Sequence, residues 1–187
     1  MVSSFGGMYM DLSTKGSALF MKIIQEAGEA LEKGKYKEAF QKFTEARIVQ
    51  RNLSAGNIQE ILGAKSSREC LLISIRAFAH ACQALNATVE SFIAATLFSQ
   101  DLEDARAFLG RASGVAEACF DLVSILKWSL DKLTDSEEDK KTRRFGEEAI
   151  NNWSRILLRV TEMMDERGLT APTGLIEMAK KEGLIKS

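Results

Sequence analysis

A single proline, Pro172, stands in a chain of 187 residues, against an average usage of about 5%. Proline ends helices because its ring removes an N–H donor and clashes with the preceding turn. Its absence before residue 172 leaves helices free to run long. The chain is 45% hydrophobic and 27% charged, which fits a globular domain and excludes a disordered main body. One domain is expected at this length. No segment alternates polar and apolar residues with period two, so no sheet is expected. The expected fold class is all-α, an antiparallel bundle of six to seven helices over residues 14–187. Residues 1–13, with paired glycines and no period, read as a flexible N-terminal arm.

Phe20, Ile24, Ala27 and Leu31 recur at helical spacing and predict a helix over 14–33, stopped by Gly34. Tyr36, Ala39, Phe40, Phe43 and Ala46 predict a second over 36–52, which the run Ser54-Ala-Gly-Asn57 is expected to end. A third starts near 57. Its stretch from Leu71 to Leu85 is apolar on nearly every face, which marks it as the central buried helix. Asn86 and Thr88 favour a break or kink there, followed by a short helix over 89–99, with one long helix continuing to Phe98 as the alternative. Over 101–133, Ala105, Leu109, Ala112, Ala116, Cys119, Val123, Leu126, Leu130 and Leu133 alternate spacings of four and three. That is a heptad seam, predicting one long helix. Gly110 and Gly114, one turn apart, predict a close helical neighbour. Ser136 with Asp139 predicts a capped start for the next helix. Phe145, Ala149, Trp153, Ile156, Val160 and Met163 carry its inner face, and Gly168 ends it. Pro172 opens a short helix over 172–182, stopped by Gly183.

Lys plus Arg is 25 and Asp plus Glu is 26, a net charge of −1, so nucleic acid is not an expected partner. The three cysteines, Cys70, Cys82 and Cys119, form no metal or redox spacing and fall in apolar helical stretches. They read as free and buried, which fits a cytoplasmic, reducing setting. The N-terminus lacks the pattern of a signal peptide. Arg76 and His80 interrupt the most apolar stretch, so no membrane span is expected. There is no glycine-rich phosphate loop, no Glu-x-x-His pair and no nucleophile elbow. No cofactor and no metal site are therefore expected. His80 is the single histidine, with Arg76 one turn earlier on the same face. It reads as a structural core histidine. The sharper alternative makes Arg76 and His80 the catalytic candidates. They resemble the Arg–His motif of HEPN-type ribonuclease bundles, though only three residues intervene.

Residues 20–47 carry Ala27, Ala30, Gly34, Tyr36, Ala39, Phe43 and Ala46, with Gly34-Lys-Tyr-Lys-Glu-Ala39 the most specific piece. This segment resembles a tetratricopeptide-repeat hairpin. The resemblance implies two helices crossing closely on alanines, a turn at Gly34, and Tyr36 and Phe43 filling the hairpin. It also implies a binding face holding Ile24, Gly28 and Glu32, in a groove between helices one and three. The Lys/Asn pair with which some relatives hold a C-terminal carboxylate is absent from that face. The expected function is a non-enzymatic protein–protein interaction module: an adaptor, chaperone-like protein or assembly subunit binding a peptide or helix. Two alternatives stand beside it. One is a helical enzyme centred on Arg76 and His80. The other is a self-assembling structural subunit, a homo-oligomer joined through the seam of 101–133.

Overall fold

The computed structural model describes residues 5–185, with side chains from residue 15 onward. Among the described residues the chain forms seven helices and no strand: α1 Phe5–Glu32, α2 Tyr36–Ile61, α3 Ser67–Phe98, α4 Leu102–Ala118, α5 Phe120–Leu130, α6 Glu137–Asp165 and α7 Thr173–Lys181. Short connections fold successive helices back on one another, giving the expected all-α bundle. The arm read over 1–13 falls partly outside the described residues (1–4), while α1 already begins at Phe5.

Glycine stops three helices, as the sequence indicates. Gly34, Gly168 and Gly183 have φ of 70°, 63° and 66°, a left-handed conformation that costs glycine little. In each case the next residue's N–H returns to a carbonyl five residues back: Lys35 to Ala30, Leu169 to Met164 and Leu184 to Ala179. That is the Schellman closure, which satisfies carbonyls left open at a helix end. The starts of α3, α4 and α6 are capped by side chains. Ser136 Oγ accepts from Asp139 N–H at 3.2 Å. Ser66 Oγ accepts from Glu69 N–H at 3.1 Å, while Glu69 Oε2 accepts from Lys65 N–H at 2.7 Å. This second box, Ser66-x-x-Glu69, stands in plain sequence and marks where α3 begins.

Four boundaries differ from those read in the sequence: α3 begins at Ser67 behind its capping box rather than near 57, and the other three have causes elsewhere in the fold. α2 continues through Ser54 and Asn57 to Ile61 because both side chains are buried toward α3. Ser54 Oγ donates to Ala77 O at 3.0 Å instead of breaking its own helix. α3 runs unbroken through 86–88. There Asn86 Nδ2 donates across to Ala149 O of α6 at 3.2 Å, and Thr88 Oγ1 bonds back to Ala84 O at 2.9 Å. Neither residue caps anything, since the same polar groups that favour turns also bridge helices. The expected single helix over 101–133 is instead α4 and α5, divided at Cys119. In an uninterrupted helix the carbonyl of Ala116 would accept from the N–H of residue 120. Here Ala116 O accepts from Trp153 Nε1 of α6 at 2.9 Å, and a side chain inserted into the ladder is a recognised cause of a kink.

α3 is the axis of the bundle, as expected, packing against α2, α4, α5 and α6. The main core joins Ile75, Ile93, Leu109, Val123, Leu126, Trp153, Leu157 and Val160, all effectively sealed from solvent. By length and composition α3 also passes as a candidate membrane span, but 56% of its most apolar window is buried inside the bundle. Every member of the 101–133 seam is buried, from Ala105 to Leu133. Gly110 and Gly114, however, are exposed, with nothing near where a Cβ would stand. No helix approaches there, and the close approach is at Gly146 of α6, whose Cβ position lies 2.8 Å from Leu130 Cδ2.

The α1–α2 turn and the burial of Ala27, Ala30, Ala39, Phe43 and Ala46 follow the hairpin pattern. The tetratricopeptide resemblance itself is not confirmed. α1 and α2 span 28 and 26 residues, whereas a repeat fits both of its helices into about 34.

Candidate functional site

Arg76 and His80 sit side by side on α3. His80 is 2% exposed, its Nδ1 lies 2.6 Å from Gln50 Oε1 of α2, and its ring stands 4.7 Å from that of Phe145. The amide oxygen is an acceptor, so it holds the ring proton on Nδ1. Burial first, and the neighbouring Arg76 charge second, lower the His80 pKa to about 4. The ring is thus neutral at physiological pH and walled off from water. Arg76 is half-buried, and its Nε is sealed without a hydrogen-bond partner. His80 belongs to a line of polar contacts across the core. Ser54 and Gln50 of α2 meet Ala77 and His80 of α3, and Gln83 accepts from Asn152 Nδ2 of α6 at 3.4 Å. Such a line sets the register of three packed helices, since each buried polar group needs its partner. Among the described residues, no three His, Cys, Asp or Glu side chains are grouped to hold a metal ion.

Ile24, Gly28 and Glu32 lie along one face of α1, at successive turns. Ile24 is half-buried and packs into both small clusters that seat α1 on α2. Gly28 borders open space, and Glu32 is in solvent.

The apolar hollow is elsewhere, where the start of α2 meets the end of α3 and the start of α4. A cleft of about 660 Å³ is lined by Lys37, Phe40, Ala95, Phe98, Ser99, Gln100, Asp101, Asp104 and Phe108. Its floor is Ala95 and Phe108. Phe108 stacks on Phe92 with centroids 6.5 Å apart, and Arg111 lies over its ring at 5.9 Å. The walls are two aromatic rings in solvent, Phe40 at 38% and Phe98 at 57% exposure. The rim is acidic. Asp101 caps α4, accepting from Glu103 N–H at 2.6 Å and Asp104 N–H at 3.3 Å. Asp104 stands exposed beside it, and Lys37 is the one cation among the lining residues. A second hollow of about 530 Å³, along Gly34, Tyr36 and Gln41, shares Lys37 and Phe98 with the first.

The sequence pattern groups Phe40 with Tyr36, Ala39, Phe43 and Ala46 on one side of its helix and assigns no site role to Phe98 or Phe108. Their signal was three phenylalanines close to a Ser99–Asp101 helix break, which gathers apolar rings where two helix ends leave space. No protein-family model matches the chain, and no curated protein or solved structure matches it.

Proposed function

We propose that the chain is a non-enzymatic interaction module that binds a peptide or helix of a partner protein in the cleft between α2, α3 and α4. One observation carries the reading: Phe40 and Phe98 hold apolar rings in water on either side of a hollow floored by Ala95 and Phe108. Exposed aromatic rings around a concavity are the usual anchors of a protein interface. The acidic rim of Asp101 and Asp104 matches a partner whose apolar anchor is flanked by Lys or Arg. The enzymatic alternative is weaker on chemical grounds, because His80 is neutral and enclosed and so has no substrate to exchange a proton with. The self-assembly alternative is weaker because the seam of 101–133 is already occupied by intramolecular packing. Free cysteines at Cys70, Cys82 and Cys119 fit a cytoplasmic setting.

A peptide-display selection on the immobilised full chain tests this reading. The enriched peptides should carry a large apolar residue beside Lys or Arg, and Phe98→Asp should weaken them at least about tenfold. Phe98 is exposed, so this variant keeps its fold. Peptides insensitive to both Phe98→Asp and Phe40→Asp would refute the cleft as the binding site.

A further inference from the structure

α2 uses two of its sides for packing and leaves a third in solvent. Ala39, Phe43, Ala46, Gln50, Ser54 and Asn57 are buried, and Leu53 touches Gly16 of α1. On the remaining side, Ile48, Arg51, Ala55 and Ile58 follow one another at spacings of three and four, and Leu62, at the C-cap of α2, continues the stripe. All five are exposed, with Ile48 at 50%, Ile58 at 56% and Leu62 at 91%. This is a heptad seam of the kind that receives a second helix, and it faces water.

Charge indicates what covers it. Arg47 and Arg51 are exposed at this seam and have no ion-pair partner among the described residues. The opposite flank, Asn52 and Gln59, is neutral. The acids of α2 lie elsewhere or are already engaged: Glu38 pairs with Lys35 and Glu45 with Lys42, while Glu60 shares the face of Leu53 toward α1. We propose that the outer face of α2 is a second docking surface, which takes an amphipathic helix whose apolar seam is flanked by acidic side chains. The occupant packs on Ile48, Ile58 and Leu62 in the helix-on-helix mode and sets its carboxylates against Arg47 and Arg51. A second copy of this chain is the poorer occupant, because pairing this face with itself sets four arginines along one interface. The surface is separate from the cleft of α2, α3 and α4 and does not depend on it.

The test uses the full chain and two labelled synthetic helical peptides of about 20 residues. They have identical leucine seams, one flanked by Glu and the other by Lys, and binding is read by fluorescence anisotropy. The Glu-flanked peptide should bind at least about fivefold more tightly, with the preference shrinking as salt rises. Arg47→Glu with Arg51→Glu should invert the preference. The two peptides are compared in the Phe98→Asp background, because the Lys-flanked one also suits the acidic cleft. Ile58→Ser with Leu62→Ser should abolish binding of the Glu-flanked peptide, which Phe98→Asp alone should leave unchanged. These positions are exposed, and circular dichroism checks that each variant is folded. Equal binding of the two peptides, no binding of either, or no inversion in the double arginine variant overturns the proposal. So does light scattering that shows the unliganded chain dimerising with loss of the dimer in Ile58→Ser/Leu62→Ser, since a second copy then covers the face.

Discussion

His80 has a measurable signature at the scale of one residue. Its pKa is about 4 in the folded chain and about 6.5 in an unfolded one. Between these values the unfolded state binds the proton and the folded state does not, so stability falls as pH drops through that window and is fully present above it. The full loss is about 3 kcal/mol. Glu90, whose carboxyl is pushed upward by burial, works in the opposite direction, so the comparison must be with a variant. Urea midpoints followed by circular dichroism between about pH 7 and pH 4 should fall steeply for the native chain. The fall should flatten in His80→Gln, which cannot titrate. A parallel fall in both proteins would remove His80 as the cause. Asp139 acts at lower pH. Hydrogen bonds from Thr134, first among several contacts, hold its carboxyl below the usual range, so its contribution is lost only as pH falls below that range.

Helix ends and helix contacts decide stability at the next scale, and the glycines separate the two. Gly110 and Gly114 sit in the interior of α4 with open space beside them. Replacing either with alanine should stabilise the chain by about 0.5–1 kcal/mol, because alanine loses less backbone freedom and meets nothing. Gly146 should behave in the opposite way. An alanine there drives a methyl group into buried Leu130, and overpacking of this kind costs about 1–3 kcal/mol, more than the helix propensity returns. Thermal melts of the three single variants test this, and a gain in Gly146→Ala would show that α5 and α6 separate easily. The cap at Ser136 and the three glycine stops were legible in the residues themselves, since each is a local interaction within six residues. The Ser66–Glu69 box is equally local, but the sequence pattern starts the third helix near 57. The end of α2 and the continuity of α3 were not legible. Ser54, Asn86 and Thr88 carry turn-forming chemistry, but their partners lie on other helices or one turn back in the same helix, and Asn57 is buried.

At the scale of the whole molecule, α3 is enclosed by four neighbours and α7 is held at the edge. α7 attaches through Ala179, Leu184 and Ile185 in the core, and its end is tied to α5 by Ser124 Oγ donating to Glu182 Oε2 at 2.7 Å and by Lys127 bonding the Glu182 carbonyl. Amide hydrogen exchange should therefore find the middle of α3 the slowest and α7 the fastest of the described helices, since protection follows buried contact. Fast exchange throughout α3 would contradict its place as the axis. The residues alone determine that this chain is helical, that Gly34, Gly168 and Gly183 stop helices, and that α3 is buried. Each follows from backbone conformation or from a short apolar period, and neither needs a distant partner. Tertiary structure decides whether a polar side chain ends a helix or bridges two, because that depends on which carbonyl lies within reach. It also decides which of two heptad seams faces water. Ala105 to Leu133 and Ile48 to Leu62 share the same spacing, and the placement of the other helices buries the first and leaves the second, which carries Arg51, in water.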